Sequence, residues 1–124
     1  MIKVVVGGAT GRLGKLVCAL VKGQQDMVLV GAVVSDGSAS IGVEIAPGVR
    51  AVGASRLAEA VEAADVYVDL TSPTAAEANL ARAARKGLGY VIGTTGIADG
   101  PMGSFCSSVR SNGGSAVLAP NFSV

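Results

Sequence analysis

The chain has no histidine and no tryptophan, and only 3% of its residues are aromatic. Without imidazole there is no Ser-His or Cys-His catalytic pair, and no zinc site built on a ring nitrogen. The scarcity of rings argues against platforms on which bases could stack. Charge is sparse too: 15% of residues are charged and the net charge is +1. Such a chain has no basic face to neutralise phosphates, and no nucleic-acid partner is expected. The two cysteines, Cys18 and Cys106, lack metal-ligand spacing and are too few for a disulfide scaffold. Cys18, inside "KLVCALV", reads as a small core hydrophobe. No apolar run approaches the ~18 residues of a membrane span, and the N-terminal run is too short for a signal-peptide core. These absences predict a soluble, cytoplasmic protein with no metal and no membrane partner.

What is present is a core. Half of the 124 residues are hydrophobic, enough for one domain spanning residues 1–124 and too few for two. Glycine occurs 18 times, about twice its usual ~7% share, and it falls at the ends of elements rather than in tracts.

The apolar runs are short and valine-rich: "IKVVVG", "MVLVGAVV", "DVYVDL", "GYVIG" and "SAVLAP". Continuous runs bounded by Gly or Pro suit strands of a parallel sheet buried on both faces. Between them, residues 12–22 show a helical face of Leu13, Leu16, Val17, Leu20 and Val21. Residues 55–64 read as a helix capped by Ser55, and residues 74–86 as one capped by Thr74 with Glu77 completing a capping box. Residues 35–50 read as a loose, mobile loop, and residues 97–114 as a poor helix interrupted by glycines and Pro101. Strands alternating with helices predict an α/β fold of Rossmann type, doubly wound, with a mainly parallel sheet and helices on both faces.

Between the first strand and first helix stands "GGATGRLG". Glycines there allow a tight turn, close approach of a phosphate to the backbone, and close helix–strand packing. The N–H groups and dipole of the helix start then attract a pyrophosphate. The spacing is G-x-x-G-x-x-G rather than the commoner G-x-G-x-x-G. About 20 residues on, where an acid would hold the ribose hydroxyls of NAD, the strand ends "GAVVSDGS". Val34 takes the acid's place and Asp36 comes late, so Ser35 with Arg12 is left to meet a 2′-phosphate. The alternative is that Ser35-Asp36-Gly37 is only a turn. The later strands end in "DLTSP", "GTTG" and "APNFSV", three polar loops at the edge where ligands bind in such sheets.

In this order and at these separations, "GATGRLG", "DLTSPTAAEAN", "VIGTTG" and "APNFSV" resemble the N-terminal domain of the dihydrodipicolinate reductases, over essentially the whole chain. The resemblance implies NADPH or NADH as cofactor. It assigns Gly8, Ala9, Thr10, Gly11, Arg12 and Leu13, with Ser35, to the adenosine and pyrophosphate side. Thr71 falls in the loop that closes beside the nicotinamide, and Gly93, Thr94, Thr95, Ala119, Pro120, Asn121 and Phe122 fall around its ribose and ring. The chain departs from the family's usual pattern at Val34 and Ser35, and has Leu70 and Thr74 where Phe and Glu are usual.

The family's second domain, which carries paired histidines, a lysine and a glycine-rich loop for a cyclic dicarboxylate substrate and builds a homotetramer, has no counterpart in these residues. The expectation is a cofactor domain standing alone, inactive by itself and without a catalytic residue of its own: Lys15 and Lys86 belong to helices and neither is a placed proton donor. An extended short-chain reductase is excluded, since Tyr67 and Tyr90 are followed four places on by Thr71 and Thr94, not lysine. A nucleotide-sensing module without catalysis is the alternative reading.

Overall fold

The computed structural model describes residues 1–119. Strand β1 (Ile2–Gly7) runs into the glycine turn and helix α1 (Arg12–Lys22), which Gly23 ends. Strand β2 (Met27–Val34) follows, then a short hairpin of β3 (Glu44–Ala46) and β4 (Val49–Arg50), and β5 (Val52–Gly53). A 3₁₀ turn (Ala54–Arg56) leads into the one-turn helix α2 (Leu57–Ala60). The remaining elements alternate: β6 (Val66–Asp69), α3 (Pro73–Ala83), β7 (Gly89–Ile92), α4 (Asp99–Ser111) and β8 (Ser115–Leu118).

Six strands form one sheet in the order β5-β2-β1-β6-β7-β8, every pairing parallel. The order reverses direction at β1, so the crevice beside the carboxyl ends of β1, β2 and β6 is the switch point where ligands bind in doubly wound sheets. Alternation along β1 divides the core. Val5 joins Val33, Leu57, Tyr67, Leu80, Tyr90 and Phe105 on the face covered by α2, α3 and α4. Val4 and Val6 join Cys18, Val21, Leu29 and Ala46 on the face covered by α1 and the hairpin. Both faces are buried, which is why the strands carry unbroken valine runs. Burial also pushes the Cys18 thiol up from its ordinary range, as suits a packing residue rather than a nucleophile.

Four local expectations are corrected. The stretch 35–50, read as a loose loop, holds the β3–β4 hairpin, whose Ile45 and Val49 pack against the α1 face of the sheet. Strand β5 went unread because two residues carry no periodicity. Helix α3 is capped by Ser72, whose hydroxyl accepts from the Ala75 N–H at 3.3 Å, with Pro73 rather than Thr74 beginning the first turn. Pro73 needs no N–H there and its fixed φ suits the position. Glu77 thereby falls two residues too late for a capping box. Helix α4 is regular for 13 residues: Pro101 sits in its first turn, where the missing N–H has no intrahelical partner in any case.

Candidate functional site

The three glycines of the first turn differ in what the fold asks of them. Gly8 has φ +78°, and a Cβ there would overlap the Leu70 carbonyl. Its N–H donates to the Val33 carbonyl at 2.9 Å, which ties the ends of β1 and β2. Gly14 is buried on α1, and a Cβ there would overlap the Gly8 carbonyl. Gly11, the N-cap of α1, has φ −71° and ψ 171°, a conformation open to any residue. A Cβ on Gly11 would meet only the Gly8 carbonyl, at an ordinary 3.4 Å. Two glycines are needed by the packing; the third, exposed at the mouth of the helix, is not. No side chain caps α1, so the Arg12 and Leu13 N–H groups of its first turn point out of the helix without an intrahelical acceptor.

At the ends of β6 and β7 a carboxylate gathers the polar loops. Asp69 is fully buried, and its Oδ2 accepts from the Tyr67 hydroxyl at 2.6 Å. Its Oδ1 accepts from the hydroxyls of Thr71 at 2.6 Å and Thr94 at 2.7 Å, and from the Thr71 N–H at 3.2 Å. Thr94 Oγ1 in turn accepts from the Thr71 N–H at 2.9 Å. The Gly93 N–H donates to the Asp69 carbonyl at 2.9 Å, and the Ala119 N–H to the Ile92 carbonyl at 2.8 Å. Thr71, Gly93, Thr94 and Ala119 therefore stand side by side at one sheet edge, with exposed Thr95 beside them. Pro120, Asn121 and Phe122 lie outside the described residues.

Burial, then the Asp69 charge and hydrogen bond, push the Tyr67 phenol well above its usual value of 10.0. A raised acid holds its proton more tightly folded than unfolded. The stabilisation is complete below the unfolded value near 10 and is lost as pH rises from there through the folded value. Unfolding titrations should show constant Tyr67-dependent stability from pH 6 to 9 and a fall above about pH 10. Tyr67→Phe should shallow that alkaline fall; an unchanged limb would detach Tyr67 from it.

Around the switch point lies a cleft of about 360 Å³ whose lining includes Gly8, Thr10, Ser35, Asp36, Thr71 and Arg82. Four residues named from the sequence (Gly8, Thr10, Ser35 and Thr71) thus share one hollow. Ala9 and Thr10 border a neighbouring depression with Lys15 and Lys22. Arg12 and Leu13 start α1 but do not line the cleft, and the arginine that does is Arg82, which the sequence did not single out. Asp36, exposed, uses Oδ1 to accept the Ser55 N–H at 3.0 Å. That contact, the Ser55 hydroxyl and the Arg82 charge hold its carboxyl below the ordinary range. Ser55 is therefore not a cap but the group capped, because it lies inside the 3₁₀ turn and Asp36 reaches its N–H from the end of β2. The Ser35–Gly37 segment is a turn, closed by the Ser38 N–H on the Ser35 carbonyl at 3.0 Å, and Ser35 and Asp36 of that turn border the cleft.

Comparison with known proteins gives a consistent set of likenesses. The family model described as "Dihydrodipicolinate reductase, N-terminus" matches residues 2–122. A 4-hydroxy-tetrahydrodipicolinate reductase of Methanopyrus kandleri is 37% identical over 100% of this chain and 48% of its own length. One from Methanobrevibacter smithii is 36% identical over 100% of this chain and 49% of its own. The chain spans about half the length of the curated relatives it matches. Among solved structures, a dipicolinate-bound dihydrodipicolinate reductase from Paenisporosarcina sp. TG-14 superposes with a TM-score of 0.82 at 24% identity, covering 98% of this chain and 48% of that one. That superposition shows the shared fold.

Proposed function

Since the chain belongs to the dihydrodipicolinate reductase family, matching its N-terminal part, we propose that it is the dinucleotide-binding domain of a reductase that passes hydride from NADPH or NADH to 4-hydroxy-tetrahydrodipicolinate, in diaminopimelate and lysine biosynthesis. The observation that carries this reading is Gly11: a glycine the packing does not require, exposed beside uncapped N–H groups at the switch point. A pyrophosphate lying against the backbone supplies the reason for it. The rest of the lining fits the same ligand. Gly8, Thr10 and Ser35 border the adenosine side, and Thr71, Gly93, Thr94, Thr95 and Ala119, with Pro120, Asn121 and Phe122, are assigned to the nicotinamide side.

The bound nicotinamide supplies the hydride. The chain's own residues bind and orient: the Asp69 network holds the Thr71 and Thr94 loops in one register, so the ring is met by a fixed edge rather than two independent loops. We assign the grip on the cyclic dicarboxylate, the proton donor and homotetramer assembly to the family's C-terminal half. The 124 residues contain no histidine, and none of their lysines borders the Asp69 network.

It follows that these residues alone will not turn over the substrate. Loss of general-acid catalysis removes about 10²–10⁴-fold, and loss of substrate orientation more. The check is NADPH oxidation with freshly prepared substrate, comparing this chain with the full-length Methanopyrus kandleri relative. Comparable rates would contradict this division of labour.

A further inference from the structure

The cleft at the switch point holds one cation and one anion among its described lining residues, Arg82 and Asp36. They are not equivalent. Asp36 comes from the turn after β2, and its Oδ1 is committed to the Ser55 N–H. Its carboxylate is the acceptor of the pair. Arg82 comes from the last turn of α3, on the opposite wall. Its Nη1 lies 3.5 Å from Oδ1 of buried Asn79, and among the described residues no carboxylate forms an ion pair with it. The Asp36 carboxyl is lowered first by the Ser55 hydrogen bonds, and Arg82 adds only a smaller through-space contribution. The guanidinium is thus charged, steadied by a buried amide, and unspent.

Resting on the dinucleotide reading above, we propose that Arg82 is the residue that receives the 2′-phosphate of an adenine dinucleotide, from across the cleft rather than from the loop after β2. A guanidinium presents several N–H donors to a phosphate and keeps its charge at every accessible pH. Ser35 and Ser38 add hydroxyls to the same lining. Arg12, the arginine first suggested by the sequence, starts α1 outside this lining, and Lys15 and Lys22 border the neighbouring depression. Asp36 plays the opposing part: its carboxylate accepts from a 2′-hydroxyl and repels a 2′-phosphate. With both groups in one cleft, the chain takes NADPH and NADH alike, and the balance is set by two side chains far apart in sequence.

The test is calorimetric titration of the chain with adenosine 2′,5′-bisphosphate, adenosine 5′-phosphate, NADPH and NADH, which needs no turnover. Arg82→Ala should weaken the two 2′-phosphorylated ligands by about tenfold or more, the size of a lost charge-assisted contact, and leave the other two within about twofold. Asp36→Asn, which keeps an oxygen for the Ser55 N–H, should shift the ratio the other way. Arg82 is exposed, so the variant should fold, and a thermal melt checks it. An Arg82→Ala variant that weakens all four ligands equally, or none, overturns the assignment while leaving the dinucleotide reading intact. If the unaltered chain binds none of the four, that reading fails and takes this inference with it.

Discussion

Replacing Asp69 by alanine will cost the fold about 3–5 kcal/mol, because it strips a buried acceptor from several donors at once. The Tyr67 hydroxyl is left in a fully buried site. The Thr71 and Thr94 hydroxyls lose the acceptor they share, Asp69 Oδ1, and the two loops keep their direct link from Thr94 Oγ1 to the Thr71 N–H and carbonyl. Each unsatisfied buried polar group costs about 1–3 kcal/mol, against a total stability of about 5–15 kcal/mol for a domain. Urea unfolding of Asp69→Ala beside the parent chain measures the loss. Asp69→Asn should lose less, since one oxygen of the same shape remains for the two threonines. A loss below about 1 kcal/mol in Asp69→Ala would mean that water replaces the carboxylate and that the loops do not depend on it.

Gly11→Val should abolish dinucleotide binding, by about a hundredfold or more, while shifting stability by no more than about 1 kcal/mol. The backbone at Gly11 is open to any residue, a Cβ there would meet its nearest atom at 3.4 Å, and the position is exposed, so the fold tolerates a side chain. A phosphate drawn to the α1 N–H groups does not. Gly14→Ala supplies the contrast. Its Cβ would overlap the Gly8 carbonyl, and overpacking of that kind typically costs about 1–3 kcal/mol. Stability and binding should therefore fall together at position 14 and separate at position 11. Calorimetric titration with NADPH and thermal melts of both variants read this pattern, and a Gly11→Val chain that binds normally would remove the reason for that glycine.

The frame of the fold was legible because its signals are local. Short, valine-rich runs gave β1, β2, β6, β7 and β8, and the apolar stripe of residues 12–22 gave α1 with its bounds. The hairpin and β5 stayed hidden, since their runs are two or three residues long and carry no periodicity, and β5 pairs with the distant β2. Ser55 and Thr74 were misread as caps for a related reason: one N–H is satisfied from 19 residues away by Asp36, and Pro73 moves the other cap back to Ser72. The site divides along the same line. The glycine turn and the three polar loops were visible as motifs. Asp69 was passed over, although an acid inside the apolar run "VYVDL" marks a buried charge that needs partners. Arg82 carries no local signal at all; only the packing of α3 against α2 and β6 brings it to the cleft.

The most direct measurement is an amide-resolved NMR titration of the unaltered chain with NADPH. Saturable shifts are expected at Gly8, Gly11, Arg12 and Leu13, with further shifts at Ser35, Thr71 and Thr94, and little change along the outer face of α4. Absence of any shift at millimolar NADPH and NADH, or shifts confined to surfaces away from the carboxyl ends of β1, β2 and β6, would contradict dinucleotide binding at the switch point.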